Sequence, residues 1–152
     1  MKLLFSILLC SFCTMAFAQQ ASSVDSLSFC FIKYKVPAGC TAQSEYQVSC
    51  DTYSMNWLYL TPDMLKSADQ FVDQITAQVK VIKKEPVTCL LMDKEAKGYL
   101  ITFKNLTSVA YMLLVYGTAN NQPVLVQLIL PKEPRKNEDI PAFPHTIIKF
   151  TK

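Results

Sequence analysis

Between residues 61 and 84 the chain places Met64, Leu65, Ala68, Phe71, Val72, Ile75, Val79 and Ile82 at steps of three and four. Such steps trace one apolar stripe on an α-helix. The opposite side carries Lys66, Asp69, Gln70, Asp73, Gln74, Lys80 and Lys83. Thr61 followed by Pro62 reads as an N-cap and a first-turn proline, whose missing N–H is not needed there. Asp63 adds negative charge at the positive end of the helix dipole. Ser67 with Gln70 forms a second candidate capping box, so the helix has two candidate starts. Lys80, Lys83 and Lys84 suit its C-terminal end, and Pro86 stops it. A helix over 61–84 is long enough to cross a whole sheet. Its stripe suits a partner groove as well as a core, and the core of its own sheet is the preferred reading.

The segments flanking it read as strands. Residues 27–36, LSFCFIKYKV, alternate and end at Pro37-Ala38-Gly39. Residues 45–49 form a shorter, polar strand. Residues 53–60, YSMNWLYL, are aromatic enough to favour strand over helix. After the helix come strands over 87–92, 99–104, 108–117 and 124–130. Their links are a turn DKEAKG with Gly98, a very tight turn near Asn105, and the polar loop GTANNQP. Links this short imply an antiparallel meander. YMLLVY and PVLVQLIL are apolar on both alternating faces, so both faces of the sheet should be covered. The C-terminal PAFPHTIIKF supplies the second cover as a short helix bearing Phe143, Ile147, Ile148 and Phe150. The expected fold class is α+β: an antiparallel sheet of about six to seven strands, one long helix on one face and a short C-terminal helix on the other.

The first 18 of the 152 residues read as a signal peptide: Lys2, then an apolar run, then Ala16-Phe17-Ala18 as the cleavage site. The run is short for a membrane span. Cys10 and Cys13 follow Leu9 and Phe12, which disfavours lipoprotein processing. Residues 19–26 are polar and read as a flexible leader, with a single domain over 27–152. The mature chain, of 134 residues (152 − 18), is thus expected to be periplasmic or secreted, without membrane insertion. Loss of Lys2 takes the formal charge from +3 to +2, with basic residues spread along the chain, which points to neither nucleic acid nor a membrane surface. Cys30, Cys40, Cys50 and Cys89 remain, an even number in an exported chain, and suggest two disulfides. Three connectivities are open. A hairpin of 27–36 with 44–51 turning near Cys40 would bring Cys30 opposite Cys50, which favours Cys30–Cys50 with Cys40–Cys89. Spacings of ten, ten and thirty-nine and a single histidine do not suit a zinc site.

The order of strands, long helix, meander and closing helix resembles the PsbP-like α/β/α sandwich superfamily. So do the first strand running into Val36-Pro37-Ala38-Gly39 and the closing Ile147-Ile148-Lys149-Phe150. The four cysteines depart from that family's pattern. The resemblance implies a fold and a largely non-enzymatic, binding or assembly role; exported envelope proteins and immunity proteins of secreted toxins are among its members. A shared fold does not choose among these.

Catalytic groupings are sparse. His145 is the only histidine, and no second group can be placed beside it. No nucleophile elbow and no glycine-rich phosphate loop occurs, and no metal or cofactor is expected. Asp69 and Asp73, four apart, read as a solvated helix face. The sequon Asn105-Leu106-Thr107 matters only in a eukaryotic secretory pathway. Tyr53, Trp57 and Tyr59 share a strand face, and read as core more than as a binding platform. Two loops are partner-binding candidates: Asn120 and Asn121 in GTANNQP, and Lys132, Glu133, Arg135 and Lys136 in PKEPRKNED. The expectation is an exported, non-enzymatic protein-interaction module, in its specific form an immunity protein that blocks a cognate toxin. The alternative is a small apolar-ligand carrier with a cavity between helix and sheet. A hydrolase using His145 is the third reading.

Overall fold

The computed structural model describes residues 23–151. The expected signal peptide, its cleavage site and the first part of the leader lie outside those residues. The chain folds as β1 (Ser26–Phe29), β2 (Ile32–Lys35), β3 (Thr41–Ser44), β4 (Gln47–Cys50), β5 (Tyr53–Tyr59), α1 (Pro62–Lys66), α2 (Ala68–Thr76), β6 (Lys80–Leu91), β7 (Lys94–Asn105), β8 (Ser108–Ala119), β9 (Gln122–Leu130), α3 (Ala142–Ile147) and β10 (Ile148–Phe150). Eight strands make one antiparallel sheet in the order β10-β6-β7-β8-β9-β5-β4-β3, and β1 and β2 form a separate hairpin. The class is α+β, with two strands in the hairpin and one to two more than expected in the sheet.

The long helix is the main departure. Thr61 Oγ1 accepts from the Met64 N–H at 3.2 Å, the N-cap read from the sequence. The helix then breaks at Ser67, whose hydroxyl donates back to the carbonyls of Asp63 and Met64 instead of capping the next turn. It restarts at Ala68 and stops at Thr76. From Lys80 the chain is strand, because Val81, Ile82, Val87 and Thr88 are β-branched and a twelve-residue ladder with β7 outweighs another turn of helix. Pro86 fits inside this strand because β10 pairs with β6 only at Cys89, Leu90 and Leu91, which leaves the outer edge at Pro86 open.

The meander is as expected, but its turns are tighter. DKEAKG is no turn; Met92 and Asp93, both left-handed, close a two-residue hairpin, and the rest is β7. Gly98 lies in mid-strand, where an added Cβ would press on the backbone carbonyl of Leu114. Asn120 and Asn121 are the left-handed pair of the β8–β9 turn, as suits a two-residue hairpin.

Both faces of the sheet are covered. On one, Val72 of α2 and Leu60 pack on Ile101, Phe103, Met112, Leu114 and Leu125. On the other lie Leu27 and Phe29 of the β1–β2 hairpin, with Ile140 and Ile147, against Met55, Trp57, Leu113, Val126 and Leu128. The N-terminal hairpin thus supplies cover that the sequence reading assigned to the C-terminus alone. The closing segment is helix only to Ile147; Ile148 to Phe150 add a sheet strand. Val24 belongs to the fold as well, since its N–H donates to the Ala42 carbonyl at 2.9 Å.

Among the described residues the disulfide is Cys40–Cys50, and Cys30 and Cys89 are free, buried thiols. The expected pairs Cys30–Cys50 and Cys40–Cys89 are overturned. They assumed one strand over 27–36 paired with 44–51. The chain turns first at Cys30-Phe31, so the strand becomes a hairpin of its own. Cys40 and Cys50 then flank the matched pair Thr41 and Ser49 of β3 and β4.

Candidate interaction site at a strained hairpin tip

The β1–β2 turn consists of Cys30 (φ 46°) and Phe31 (φ 70°), both in the left-handed region. A two-residue hairpin turn of this kind is normally built from Asn and Gly. Left-handed backbone costs a residue with a Cβ about 1–2 kcal/mol. Side chains distant in sequence hold it. The Tyr59 hydroxyl accepts from the Cys30 N–H at 2.8 Å and donates to the Ser28 carbonyl at 3.0 Å. Trp57 Nε1 donates to the same carbonyl at 3.0 Å. Asn120 Nδ2 donates to the Cys30 carbonyl at 3.1 Å. At about 1 kcal/mol net for each such bond, the set offsets the strain. Phe29 packs edge-on against Trp57, 5.4 Å between ring centres.

The product of this arrangement is an exposed aromatic ring. Phe31 stands 80% exposed at the tip. Tyr46, stacked edge-on against Tyr59, is another large, exposed residue of this part of the molecule. The β8–β9 turn joins the tip through Asn120. Behind it an open groove of about 1270 Å³ runs beside α1 and α2 along the sheet, lined by Leu65, Asp69, Lys97, Tyr116 and both asparagines.

At the groove wall the Asp69 carboxylate accepts from the hydroxyls of Tyr116 at 2.7 Å and Tyr99 at 3.0 Å. Those two hydrogen bonds, Tyr116 first, hold the Asp69 carboxyl below its usual pKa. Burial, then the bond to Asp69, pushes the Tyr116 phenol well up. The Tyr99 phenol also rises, chiefly through its bond to Asp69. Lys84 lies 4.4 Å above the Tyr99 ring and pairs with Asp73 at 2.8 Å. A carboxylate shifted down beside phenols shifted up suits anchoring of α2 to the sheet, not proton transfer near neutral pH.

The two predicted partner loops are not brought together. Asn120 and Asn121 lie at one end of β9; Lys132, Glu133, Arg135 and Lys136 follow its other end, where the chain leaves the sheet toward Phe150. Arg135 pairs with Glu133 at 2.8 Å, and the backbone N–H groups of Arg135 and Lys136 donate to Asp139. Asn137 exchanges two hydrogen bonds with the backbone of Phe150. That loop is tied to the fold. Tyr53 and Trp57 are core, as the sequence suggests, though under the hairpin and not the helix. His145 lies in α3, and among the described residues its ring makes no hydrogen bond. Phe31 and Tyr46 escaped sequence reading: no glycine, proline or asparagine marks the turn at 30–31. No family model and no curated protein matches the chain.

Proposed function

We propose that this chain is an exported, non-enzymatic protein-interaction module of the cell envelope, and that its partner is gripped by Phe31. The observation that carries this is the strained tip: two left-handed, non-glycine residues, held by Trp57, Tyr59 and Asn120, deliver one aromatic ring to solvent. Strain that the surroundings over-determine is a mark of a functional position. An aromatic anchor on a rigid support is the usual form of an interface hot spot. The Cys40–Cys50 disulfide agrees with a periplasmic or secreted location. Within this reading, and with the PsbP-like resemblance behind it, an immunity protein that blocks a cognate secreted toxin is the specific form. Asn120 and Asn121 then flank the anchor as adaptable hydrogen-bonding groups, and the 132–136 loop lies outside the contact.

The test is a pull-down of the mature, oxidised protein against its own cell envelope and the products of neighbouring genes. A single stoichiometric partner is expected. Phe31→Asn, which keeps a residue tolerant of left-handed backbone, should weaken that complex about 30-fold, while Lys132→Ala leaves it unchanged. Equal capture by wild type and Phe31→Asn sinks the reading.

The groove favours a second reading, a small-ligand carrier, with the space beside the helix and not beneath it. Its lining of charged and apolar groups suits an amphipathic ligand. Native mass spectrometry showing a small molecule bound in place of a protein would select this reading.

A further inference from the structure

The opposite end of the sheet carries a second and different exposed patch. At the β7–β8 turn Leu106 is left-handed (φ 49°) and 91% exposed. Val109, one residue past the start of β8, is exposed too. On β6 the ladder with β7 shifts register between Val81 and Lys83. Such a bulge re-aims side chains, and Ile82 within it is 59% exposed, beside exposed Val81. Lys80 sits directly opposite Lys104, and Lys104 directly opposite Val109, so two lysines and a valine form one row across three strands. Like charges placed opposite each other oppose strand pairing. Among the described residues neither lysine has an acidic partner, whereas Lys83 and Lys84 are paired with Glu85 and Asp73.

We propose that this end of the sheet docks on an anionic phospholipid surface, with Leu106 entering the headgroup region and Lys80 and Lys104 contacting phosphate. The dimensions agree. Lys104 lies two residues behind Leu106, about 7 Å along the strand, within the roughly 5–10 Å depth to which apolar faces enter the interface. The shape favours lipid over an acidic protein, because Leu106, the most exposed of these apolar residues, stands on the turn and not in a recess. The lysine pair, poorly placed for folding, is well placed for a dense anionic plane. Basic residues spread along the sequence conceal this; the register of three strands gathers them. The patch is independent of Phe31, which lies at the other end.

Co-sedimentation of the mature, oxidised protein with vesicles tests it. Phosphatidylcholine vesicles containing phosphatidylglycerol should bind the protein, pure phosphatidylcholine vesicles should not, and added salt should weaken binding. Each lysine near such a surface contributes about five-fold, so Lys80→Gln with Lys104→Gln should lower the partition roughly 25-fold. Leu106→Asn, which suits the left-handed position, should lower it about ten-fold or more while the protein stays folded by circular dichroism. Equal sedimentation of wild type and these variants overturns the proposal. So does absence of wild-type binding at low salt, including the case where Leu106 instead mediates self-association in analytical ultracentrifugation.

Discussion

Phe31 and the two free thiols show how single side chains answer to their surroundings. If the tip is strained for contact, relief of the strain should stabilise the fold. Phe31→Asn is expected to raise stability by about 1 kcal/mol, some 4 °C in Tm, while it weakens the partner complex. A drop in the thermal midpoint would show that the ring packs for the fold instead. Cys30 and Cys89 are buried, and desolvation pushes their thiols up to about 11 and about 12. A thiol raised in the folded state contributes stability that is complete below the ordinary thiol pKa of 9.0 and is lost as pH rises toward the folded values. The native protein at pH about 8 should therefore resist iodoacetamide, and its urea midpoint should fall above pH about 9. Fast labelling of either thiol in the native state would contradict this. Little of the tip was legible in the sequence. Leu27 to Val36 alternates without a breaking residue, and the turn at Cys30-Phe31 depends on Trp57, Tyr59 and Asn120, which no local pattern links to it.

The elements were legible where local chemistry and tertiary packing agree. Thr61-Pro62 starts a helix, Pro37-Ala38-Gly39 ends a hairpin, and Asn120-Asn121 turns a strand pair, each with the residues its backbone requires. Where they compete, tertiary pairing wins. Val79 and Ile82 continue the helical stripe, yet the chain from Lys80 joins β7 because a ladder running to Leu91, interrupted only by the bulge at Ile82, pairs more backbone groups than another turn of helix. Gly98 misled for the converse reason. It reads as a turn residue, but it marks close approach of β7 to the Leu114 carbonyl. Gly98→Ala should accordingly cost about 2 kcal/mol or more, measured by urea unfolding with unchanged slope. A loss under about 0.5 kcal/mol would mean that the ladder shifts freely there. The disulfide error has the same root. Cross-strand partners cannot be assigned until the turns are, and one unmarked turn at residues 30–31 moves Cys50 from Cys30 to Cys40.

At the scale of the molecule the sheet is a spacer between two unlike surfaces. One end presents Phe31 with Asn120; the other presents Leu106 with Lys80 and Lys104. Strands β6 and β7 are twelve residues each, so the ends stand about 40 Å apart. That is several Debye lengths in physiological salt, so charges at one end do not act on the other. The β7–β8 and β8–β9 ladders between them run without a register shift, and buried side chains pack on both faces of the sheet. The two binding events should be independent. Protein held on phosphatidylglycerol vesicles should capture the partner with the affinity it has in solution, and the double variant Phe31→Asn/Leu106→Asn should show each single defect at full size with no interaction energy beyond about 0.5 kcal/mol. Surface plasmon resonance on captured vesicles reads both quantities. A partner that binds only the vesicle-bound form, or a non-additive double variant, would place a shared conformational change between the ends. The rigid-spacer account would then fail even if each contact residue were right.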